Sequence, residues 1–446
     1  MGHQDPRSGS SQGPRAADVS EELAGTTPPP IDLATVRAHK DLRDMLAKGD
    51  KGAILKTISN LITILRYDPN LTNLLSYNDF TYEALINRSP PSPDATAPPL
   101  AGPYPRTWTS ADISLIHAYI QKTWTAHASQ QGIESAMGAE AMLRSFHPVR
   151  NWLENIHWDG SPRLNKWLHF AFGANDTDYH TEVGSKFLIA AVRRVRHPGC
   201  KFDYMPVLEG PQGIGKSTAA ATLFGADWFS DSIPHDLSNK DSAMALLGIW
   251  CLEMAEIEQL IRGEVETIKG FLSRRIDRYR PPFGRGFVSR PRQGILIGTT
   301  NNAEYLRDST GNRRFWPITC KFADIEWISA NRDQLWAEAV GREAAGEDIW
   351  ITDQDVQKAA AEAQADRMIE DVWATSIERF LDQRMDASVT VPELLSGPLS
   401  IPVKDQDRAA QMRVGSILRS LKMVRIVEWK NGKTTRTWQK PRDLTT

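Results

Sequence analysis

The sequence predicts an α/β domain in the middle of the chain, with helical segments before it and a small mixed module after it. Over residues 204–322, short apolar runs alternate with helical stretches, which is typical of an α/β domain. One of these runs, "MPVLEG", leads through a glycine-rich loop into the alanine-rich "STAAATLFG". This is the order of a buried strand, a loop and a helix that ends at Gly225. Residues 107–203 and 323–372 are mostly helical in pattern.

Changes in composition divide the rest of the chain. A Ser-, Gly- and Pro-rich start predicts disorder, and the proline-rich "SPPSPDATAPPLAGPYP" predicts a semi-rigid linker. The predicted segments are a disordered tail (1–30), a small helical module (31–88), the linker (89–106), a helical platform or collar (107–203), the α/β domain (204–322), a helical segment (323–372) and a C-terminal module (373–446). The platform is expected to bury Trp152, Leu153, Ile156, Trp158, Leu164, Trp167 and Leu168 as its core.

Composition excludes several classes of protein. Hydrophobic residues make up 41% of the 446 residues, which is enough for real cores, and the formal net charge of −2 excludes a globally basic nucleic-acid binder. The three cysteines match no zinc-site spacing and suggest reduced thiols. Because no apolar run approaches a membrane span and no signal-peptide pattern opens the chain, we expect a cytoplasmic protein.

The glycine-rich loop has the spacing of a phosphate-binding loop. Gly210, Gly215, Lys216 and Ser217 fit G-x-x-x-x-G-K-[ST]. In such a loop the backbone N–H groups turn toward phosphate oxygens, the lysine reaches the β- and γ-phosphates, and the serine hydroxyl binds Mg²⁺. The predicted nucleotide-binding residues are Gly210, Gly213, Gly215, Lys216, Ser217 and Thr218. A turn that binds nothing is the alternative.

Two further apolar runs end in polar residues suited to nucleotide hydrolysis. "GIWCLEMAEIE" reads as a strand that ends at Glu253, with Glu256 three residues later, and either acid can hold the Mg²⁺ shell or polarise the attacking water. "GILIGTTNN" reads as a second buried strand, and Asn301 at its end can orient water against the γ-phosphate. The alternatives are an amphipathic helix with surface glutamates and a plain loop cap.

Adjacent arginines precede the next predicted strand, in "STGNRRFWPI". An arginine held by a buried strand can stabilise charge on a transferring phosphate, either in its own subunit or in a neighbour. Arg313 and Arg314 are therefore candidates, and a salt-bridging pair is the alternative.

The segment "FLSRRIDRYRPPFGRGFVSRPRQ" is strongly basic and has aromatic residues interleaved with turn residues. This combination suits a nucleic-acid backbone. The expected DNA contacts are Arg278, Arg280, Arg285 and Arg290. A solvated basic loop is the alternative, and some of these arginines can instead face the nucleotide.

The C-terminal module predicts a winged-helix-like domain. Its pattern gives helix, strand, helix, a longer helix and a hairpin around Asn431-Gly432. Between Lys404 and Arg442 there are eleven Lys or Arg residues against three Asp or Glu residues. A duplex-DNA reader would use Arg413, Arg419, Lys430 and Lys433. A small capping domain with a solvated basic face is the alternative.

Five stretches of the chain closely resemble the virulence-associated protein E family of phage, prophage and mobile-island proteins. The stretches lie within residues 60–320 and are "YDPNLTNLLSYNDF", "FHPVRNWLENIHWDGSPRLNKWL", "RVRHPGCKFDYMPVLEGPQGIGKST", "IKGFLSRRIDRYRPPFG" and "PRQGILIGTTNNAEYLRDSTGNRRFWPI". The resemblance implies a P-loop NTPase core of the AAA+, superfamily-3-like type. In that superfamily a sensor asparagine corresponds to Asn301, and a trans-acting arginine falls near Arg313 or Arg314. A hairpin that corresponds to about 278–292 grips DNA in the channel of a hexamer.

The residues and the resemblance together predict an ATP- and Mg²⁺-dependent, ring-forming DNA helicase or translocase in the replication of a phage or mobile element. The expected partners are single-stranded DNA in the channel, duplex DNA at the C-terminal module and further copies of the chain. Some relatives carry a primase, but residues 1–88 are short and show no acidic triad, so we expect no priming activity. Two alternatives stay open: an initiator that uses ATP only as an assembly switch, and a defence or regulatory ATPase that acts on a protein partner.

Overall fold

The computed structural model describes residues 33–94, 98–124, 127–232, 237, 240–257, 262–281, 286–306, 311–368, 371–384, 388–430 and 433–440. The chain forms two compact units, Met1–Pro148 and Val149–Thr446. The predicted disordered tail lies outside the described residues. None of the helices in the described ranges is long and apolar enough to cross a membrane.

The first unit packs helices against a small mixed sheet. Leu61, Ile116, Trp124 and Ile133 are buried in one shared cluster. In its described part the elements are α1 (Leu33–Met45), α2 (Ile58–Tyr67), β1 (Leu75–Asn78), β2 (Glu83–Ile86), β3 (Arg106–Thr107), α3 (Ser110–Trp124), α4 (Gln130–Met142) and β4 (Ser145–Phe146).

This packing divides the chain differently from the sequence-based segments. The helices α3 and α4 were assigned to a platform with residues 149–203, but their apolar faces share the cluster of α2. Strand β3, at the end of the predicted linker, pairs with β2, and Arg106 forms an ion pair with the buried Asp112. The predicted helical module, the linker and residues 107–148 therefore belong to one unit.

The second unit contains the predicted α/β domain. Its described elements up to residue 365 are α5 (Pro148–Asn155), α6 (Trp167–Phe172), α7 (Asp178–Arg196), β5 (Met205–Glu209), α8 (Lys216–Phe224), β6 (Phe229–Ser230), α9 (Lys240–Met244), β7 (Cys251–Met254), α10 (Arg262–Leu272), β8 (Ile276–Tyr279), β9 (Val288–Pro291), β10 (Ile295–Thr300), β11 (Phe315–Thr319), α11 (Ile325–Ala344) and α12 (Gln354–Ala365).

A parallel sheet forms the centre of this unit, in the order β11-β5-β10-β7-β6. Every residue of β5, β7 and β10 is buried, as expected for strands covered on both faces. Because the strands are parallel, their carboxyl ends share one edge. Strand β5 lies between β11 and β10, and β7 lies beside β10. The loop after β5 is thereby brought close to the ends of β7 and β10, where open α/β sheets bind ligands.

Helices α5 to α7 supply part of the predicted platform core. Leu153, Leu164 and Trp167 are buried. The prediction that Trp158 is also buried is wrong, because Trp158 is 45% exposed and donates a hydrogen bond to the Ser161 carbonyl. An indole with a nearby carbonyl partner can stay at the surface, and the apolar spacing of the sequence does not reveal this.

The C-terminal module has its own small core. Its described elements are α13 (Val372–Asp382), β12 (Ser388–Val389), α14 (Val391–Ser396), α15 (Arg408–Ser420), β13 (Val424–Lys430) and β14 (Lys433–Gln439). The strands pair in the order β12-β14-β13, and Ile377, Leu394, Leu418 and Trp438 are buried in one cluster.

Candidate functional site

The loop between β5 and α8 runs from Gly210 to Gly215. Gly210 lies so close to the following segment that an added Cβ would be 2.5 Å from the Cys320 carbonyl oxygen. Gly215 has a φ of 93°, which glycine adopts readily and other residues rarely do. Helix α8 begins at Lys216 directly after it, so its first N–H groups and the positive end of its dipole point into the loop.

Lys216 is held at the centre of this loop. Its side chain is almost fully buried, and Nζ donates to the carbonyl oxygens of Gly210, at 2.7 Å, and Pro211, at 3.0 Å. A third bond, of 3.1 Å, joins Nζ to Oδ1 of Asn301, which follows β10. Two predicted site residues, Lys216 at the start of α8 and Asn301 after β10, are therefore in direct contact.

Glu253 is the buried acid of the site. Its carboxylate is fully buried on β7, and Oε1 accepts hydrogen bonds from Ser217 Oγ, at 2.7 Å, and from Thr299 Oγ1, at 2.6 Å. Its Oε2 is buried and has no hydrogen-bond partner among the described residues. Thr299 was not predicted as a site residue, although its position near the end of a buried strand was a usable signal.

Glu256 differs from Glu253 in both exposure and backbone. Its side chain is exposed, and its φ is 53°, in the left-handed region. A non-glycine residue in this region costs of the order of 1 kcal/mol or more, and such residues concentrate at functional sites. The two acids are thus brought to the same end of β7, but only Glu253 contacts Ser217.

The residues present fit a magnesium–nucleotide complex. Mg²⁺ is usually held by one or two protein oxygen ligands together with substrate phosphates and water. Ser217 Oγ and Glu253 Oε2, which has no partner among the described residues, are the oxygen atoms that would supply such ligands. Within the described ranges, no cluster of three or more His, Cys, Asp or Glu side chains could hold a metal alone. Burial raises the pKa of the nearby Cys320 thiol to about 12, so the sulfur stays protonated.

Glu209, directly before the loop, forms a buried network of hydrogen bonds. It is the last residue of β5, and its buried carboxylate accepts hydrogen bonds from Tyr305, at 2.8 Å, and from Arg367, at 2.9 Å. Thr319 donates a further bond to Oε2. Burial and the Glu209 carboxylate raise the pKa of the Tyr305 hydroxyl well above its ordinary value, so the tyrosine remains a hydrogen donor. None of these four residues was predicted as part of the site.

The two adjacent arginines, Arg313 and Arg314, have different surroundings. Arg314 is partly buried, donates to Ser273 Oγ and lies 3.6 Å from the Asp203 carboxylate. Arg313 is exposed and forms no hydrogen bond or ion pair with any residue in the described part of the chain. Arg314 is thus held by contacts within its own chain, whereas the Arg313 guanidinium is exposed.

The predicted basic hairpin is formed by β8 and β9, which pair in antiparallel register from Ile276 to Pro291. Arg278 and Arg280 are exposed, and the Arg278 guanidinium lies 5.3 Å from the centre of the Phe287 ring, which is itself 68% exposed. Arg290 is less exposed. Arg285 lies outside the described residues.

A buried ion pair anchors the base of this hairpin. Arg292 binds Asp277 at 2.6 and 2.9 Å, and its guanidinium stacks 4.1 Å from the centre of the Phe271 ring. Arg275 donates to the Gly199 carbonyl, which ties the hairpin to the segment after α7. The arginines of this basic stretch therefore divide into anchors at the base and exposed cations nearer the tip.

The candidate duplex-binding residues of the C-terminal module also differ from one another. Arg413 is bound to Asp371 at 2.7 and 2.8 Å and stacks 3.9 Å from the Trp373 ring centre. These contacts join α15 to the start of α13, so Arg413 has an internal partner, although 37% of its side chain is exposed. Arg419 is exposed. Lys430 and Lys433 are backbone partners in the β13–β14 hairpin, and the structure describes only their backbone.

Comparisons with known proteins bear on the middle of the chain. The virulence-associated protein E-like domain matches residues 153–369. Among solved structures, an apo structure of the NrS-1 C-terminal region (305–718) is 15% identical to this chain, with a TM-score of 0.40. The match covers 65% of this chain and 78% of the NrS-1 chain. The A form of the same region is 14% identical, with a TM-score of 0.38. A search of curated proteins finds no match. Residues 153–369, from α5 to the segment after α12, are therefore a virulence-associated protein E-like domain, as the five sequence stretches predict.

Proposed function

We propose that this chain is a ring-forming ATPase that uses ATP and Mg²⁺ to move along DNA during the replication of a phage or mobile element. The observation that carries the proposal is the convergence on Glu253. The hydroxyls of Ser217, from the helix after the loop, and Thr299, from β10, both donate to this one buried carboxylate. A buried carboxylate with an unpartnered oxygen, beside a lysine in a glycine-rich loop, is suited to a metal-bound polyphosphate.

The roles of the side chains follow from their positions. The loop N–H groups and Lys216 hold the β- and γ-phosphates, Ser217 and Glu253 hold Mg²⁺ or its water ligands, and Asn301 faces the γ-phosphate. Bound Mg²⁺ offsets negative charge on the phosphate oxygens. Water attacks the γ-phosphorus, the bond to the β-phosphate oxygen breaks, and a carboxylate accepts the hydrogen bond from the attacking water. Glu253 is the better placed of the two acids for the metal, and Glu256 at the exposed end of β7 is the second candidate for the water.

The strand arrangement also supports a P-loop NTPase core of the AAA+, superfamily-3-like type. Strand β5 is an inner strand and leads into the loop, while β10 and β7 on one side of it lead to the asparagine and carry the acid. Strand β11 on the other side follows directly after the two arginines. The exposed Arg313 is the candidate to reach the nucleotide of a neighbouring subunit. This favours an assembly in which the site is completed between subunits, as in a hexameric ring.

The DNA part of the proposal depends on the hairpin. Arg278, Arg280 and Phe287 combine exposed cations with an exposed aromatic ring, which suits the phosphates and bases of a single strand. The C-terminal module, with its excess of basic residues, is proposed to bind duplex DNA as a winged-helix-like domain.

Two assays on the purified chain test this function. Single-stranded DNA should stimulate ATP hydrolysis, and the chain should displace a labelled strand from a forked duplex only with ATP and Mg²⁺. Hydrolysis without strand displacement would contradict the helicase and favour an initiator switched by ATP. Hydrolysis that DNA does not stimulate would contradict both and favour an ATPase that acts on a protein partner.

A further inference from the structure

A cavity of about 470 Å³ lies beside the phosphate-binding loop, on the outer face of α8. It begins at Thr218, directly after Ser217, and continues past Thr222 to Trp228 after the end of the helix. Helix α11 contributes Ser329 and Arg332, and α5 contributes Trp152. Pockets for small ligands in proteins measure about 300–1,000 Å³. Of its lining residues, only Thr218 was predicted from the sequence to bind the nucleotide.

We propose that this cavity binds the nucleoside part of the nucleotide whose phosphates lie in the loop. The inference rests on the proposed nucleotide binding and adds the site of the sugar and base. Thr218 lies in the first turn of α8, where the N–H groups face the phosphates. The metal side of the site, Ser217 and Glu253, holds the γ end of the polyphosphate. The α-phosphate end must therefore leave the loop elsewhere, and the cavity opens at the next residue of α8.

The walls of the cavity have the chemistry that a heterocyclic base requires. Trp152 and Trp228 lie with their ring centres 5.6 Å apart. The Arg332 guanidinium lies 4.2 Å from the centre of the Trp152 ring. Indole rings and planar guanidinium groups can stack on an unpaired base whatever its identity.

Arg332 is fixed in this position by the helix that carries the loop. Its Nε donates to the Leu223 carbonyl at 3.1 Å, and a terminal nitrogen donates to the Phe224 carbonyl at 3.3 Å. These bonds satisfy carbonyls at the C-terminal end of α8, which have no partner within the helix. The stacked pair of Arg332 and Trp152 is thus tied to the same helix that positions Lys216 and Ser217.

Hydroxyl groups line the part of the cavity nearer the loop. Thr222 Oγ1 donates to the Thr218 carbonyl at 2.8 Å, and its lone pairs can still accept a hydrogen bond. Thr218 and Ser329 carry further hydroxyls and are exposed. Hydroxyls near the phosphates and aromatic rings farther away match the order of ribose and base in a nucleotide.

The test compares ATP with inorganic tripolyphosphate, which has the same three phosphates and no nucleoside. Dissociation constants are measured by calorimetry with Mg²⁺ for the wild type, Trp152→Ala, Trp152→Phe and Thr222→Leu. Trp152→Ala removes the stacking ring, and Thr222→Leu fills the cavity from an exposed helix face. For both, we expect the ATP dissociation constant to rise at least about tenfold, with tripolyphosphate within twofold of wild type. Trp152→Phe should restore most of the ATP affinity.

Ala330→Leu is the matched control for Thr222→Leu, because Ala330 is exposed on α11 and does not line the cavity. It should leave both dissociation constants unchanged. Unchanged ATP affinity in Trp152→Ala and Thr222→Leu would overturn the proposal, as would an equal loss for ATP and tripolyphosphate. If the wild type binds neither compound, the nucleotide site itself is absent, and the proposed function fails together with this proposal. If the wild type and both variants bind ATP and tripolyphosphate equally well, only the proposal about the nucleoside fails.

Discussion

Ser217 and Glu253 are joined by a hydrogen bond of 2.7 Å, although they are 36 residues apart in the chain. The bond connects the first turn of α8 with the end of β7. Thr299 donates to the same carboxylate oxygen from β10, so two strands of the parallel sheet and helix α8 meet at one acid. The other oxygen of Glu253 is directed to no protein partner in the described part of the chain.

The first prediction concerns this acid. Glu253→Gln keeps the shape and one acceptor oxygen but removes the negative charge. We expect ATP hydrolysis to fall at least about 100-fold while the ATP dissociation constant changes only a few-fold, because the charge acts mainly on the metal and the attacking water. Steady-state phosphate release and equilibrium nucleotide binding measure the two effects. Glu256→Gln is the comparison: a fall of at least about 100-fold in Glu256→Gln, together with wild-type hydrolysis in Glu253→Gln, would contradict the prediction and assign the water to Glu256.

The second prediction separates the adjacent arginines. Arg313→Ala should lower hydrolysis by about 1,000-fold without changing the melting temperature, since Arg313 makes no polar contact within the described chain. Arg314→Ala should instead lower the melting temperature, because it leaves the buried Asp203 carboxylate without its ion-pair partner.

Subunit mixing tests whether Arg313 acts in a neighbouring subunit. When Arg313→Ala and Lys216→Ala chains are combined, some interfaces contain one intact loop and one intact arginine, so activity should partly return. Hydrolysis that stays at the level of the separate variants at every mixing ratio would exclude a trans role.

The third prediction concerns the exposed part of the hairpin. Replacing Arg278 and Arg280 by Ala should weaken binding of single-stranded DNA at every sequence alike. It should also reduce the slope of log affinity against log salt by about 0.7 for each lost phosphate contact. Fluorescence anisotropy over a range of salt concentrations measures both. Lys358→Ala, at an exposed position on α12, removes a charge away from the hairpin and should leave the slope unchanged. A collapse of DNA-independent hydrolysis would show that these arginines serve the nucleotide.

The fourth prediction concerns the hydrogen-bond network around Glu209. Arg367→Ala leaves the buried Glu209 carboxylate without its cation, so the free energy of unfolding should fall by about 3 kcal/mol. Chemical denaturation measures this change. Adding Glu209→Gln to Arg367→Ala should restore part of the loss, because no buried charge then remains. Lys166→Ala breaks an exposed ion pair with Asp176, which water screens, so its effect on the free energy of unfolding should be much smaller. Equal losses for Arg367→Ala and Lys166→Ala would contradict the structural role of the Glu209 ion pair.

The parts of the site that sequence reasoning predicts are local in the chain. Gly210 to Ser217 form one continuous motif, and Glu253 and Asn301 each lie at the end of an apolar run. That these three places meet depends on the strand order, which places β5 and β7 on either side of β10. Periodicity predicts that strands exist but does not specify which strands pair.

Residues joined only by the fold were missed or assigned a different role. Glu209 and Arg367 are 158 positions apart, and the consensus of the phosphate-binding loop includes neither of them. Arg413 was counted among the DNA contacts because it lies on a basic helix, but Asp371, 42 positions earlier, occupies its guanidinium. Charge patterns in a sequence indicate which side chains are cationic, but only the packing determines which of them keep an internal partner.

The most direct test of the account is the rate of ATP hydrolysis by Lys216→Ala. Lys216 is the cation at the centre of the loop, bound to Asn301 and to two loop carbonyls. The account predicts Mg²⁺-dependent hydrolysis by the wild type and a loss of at least about 100-fold in Lys216→Ala, because a lysine at this position stabilises charge on the transferring phosphate. Circular dichroism should show an unchanged fold. Hydrolysis by Lys216→Ala at a rate near that of the wild type would contradict the assignment of this loop as the catalytic nucleotide site.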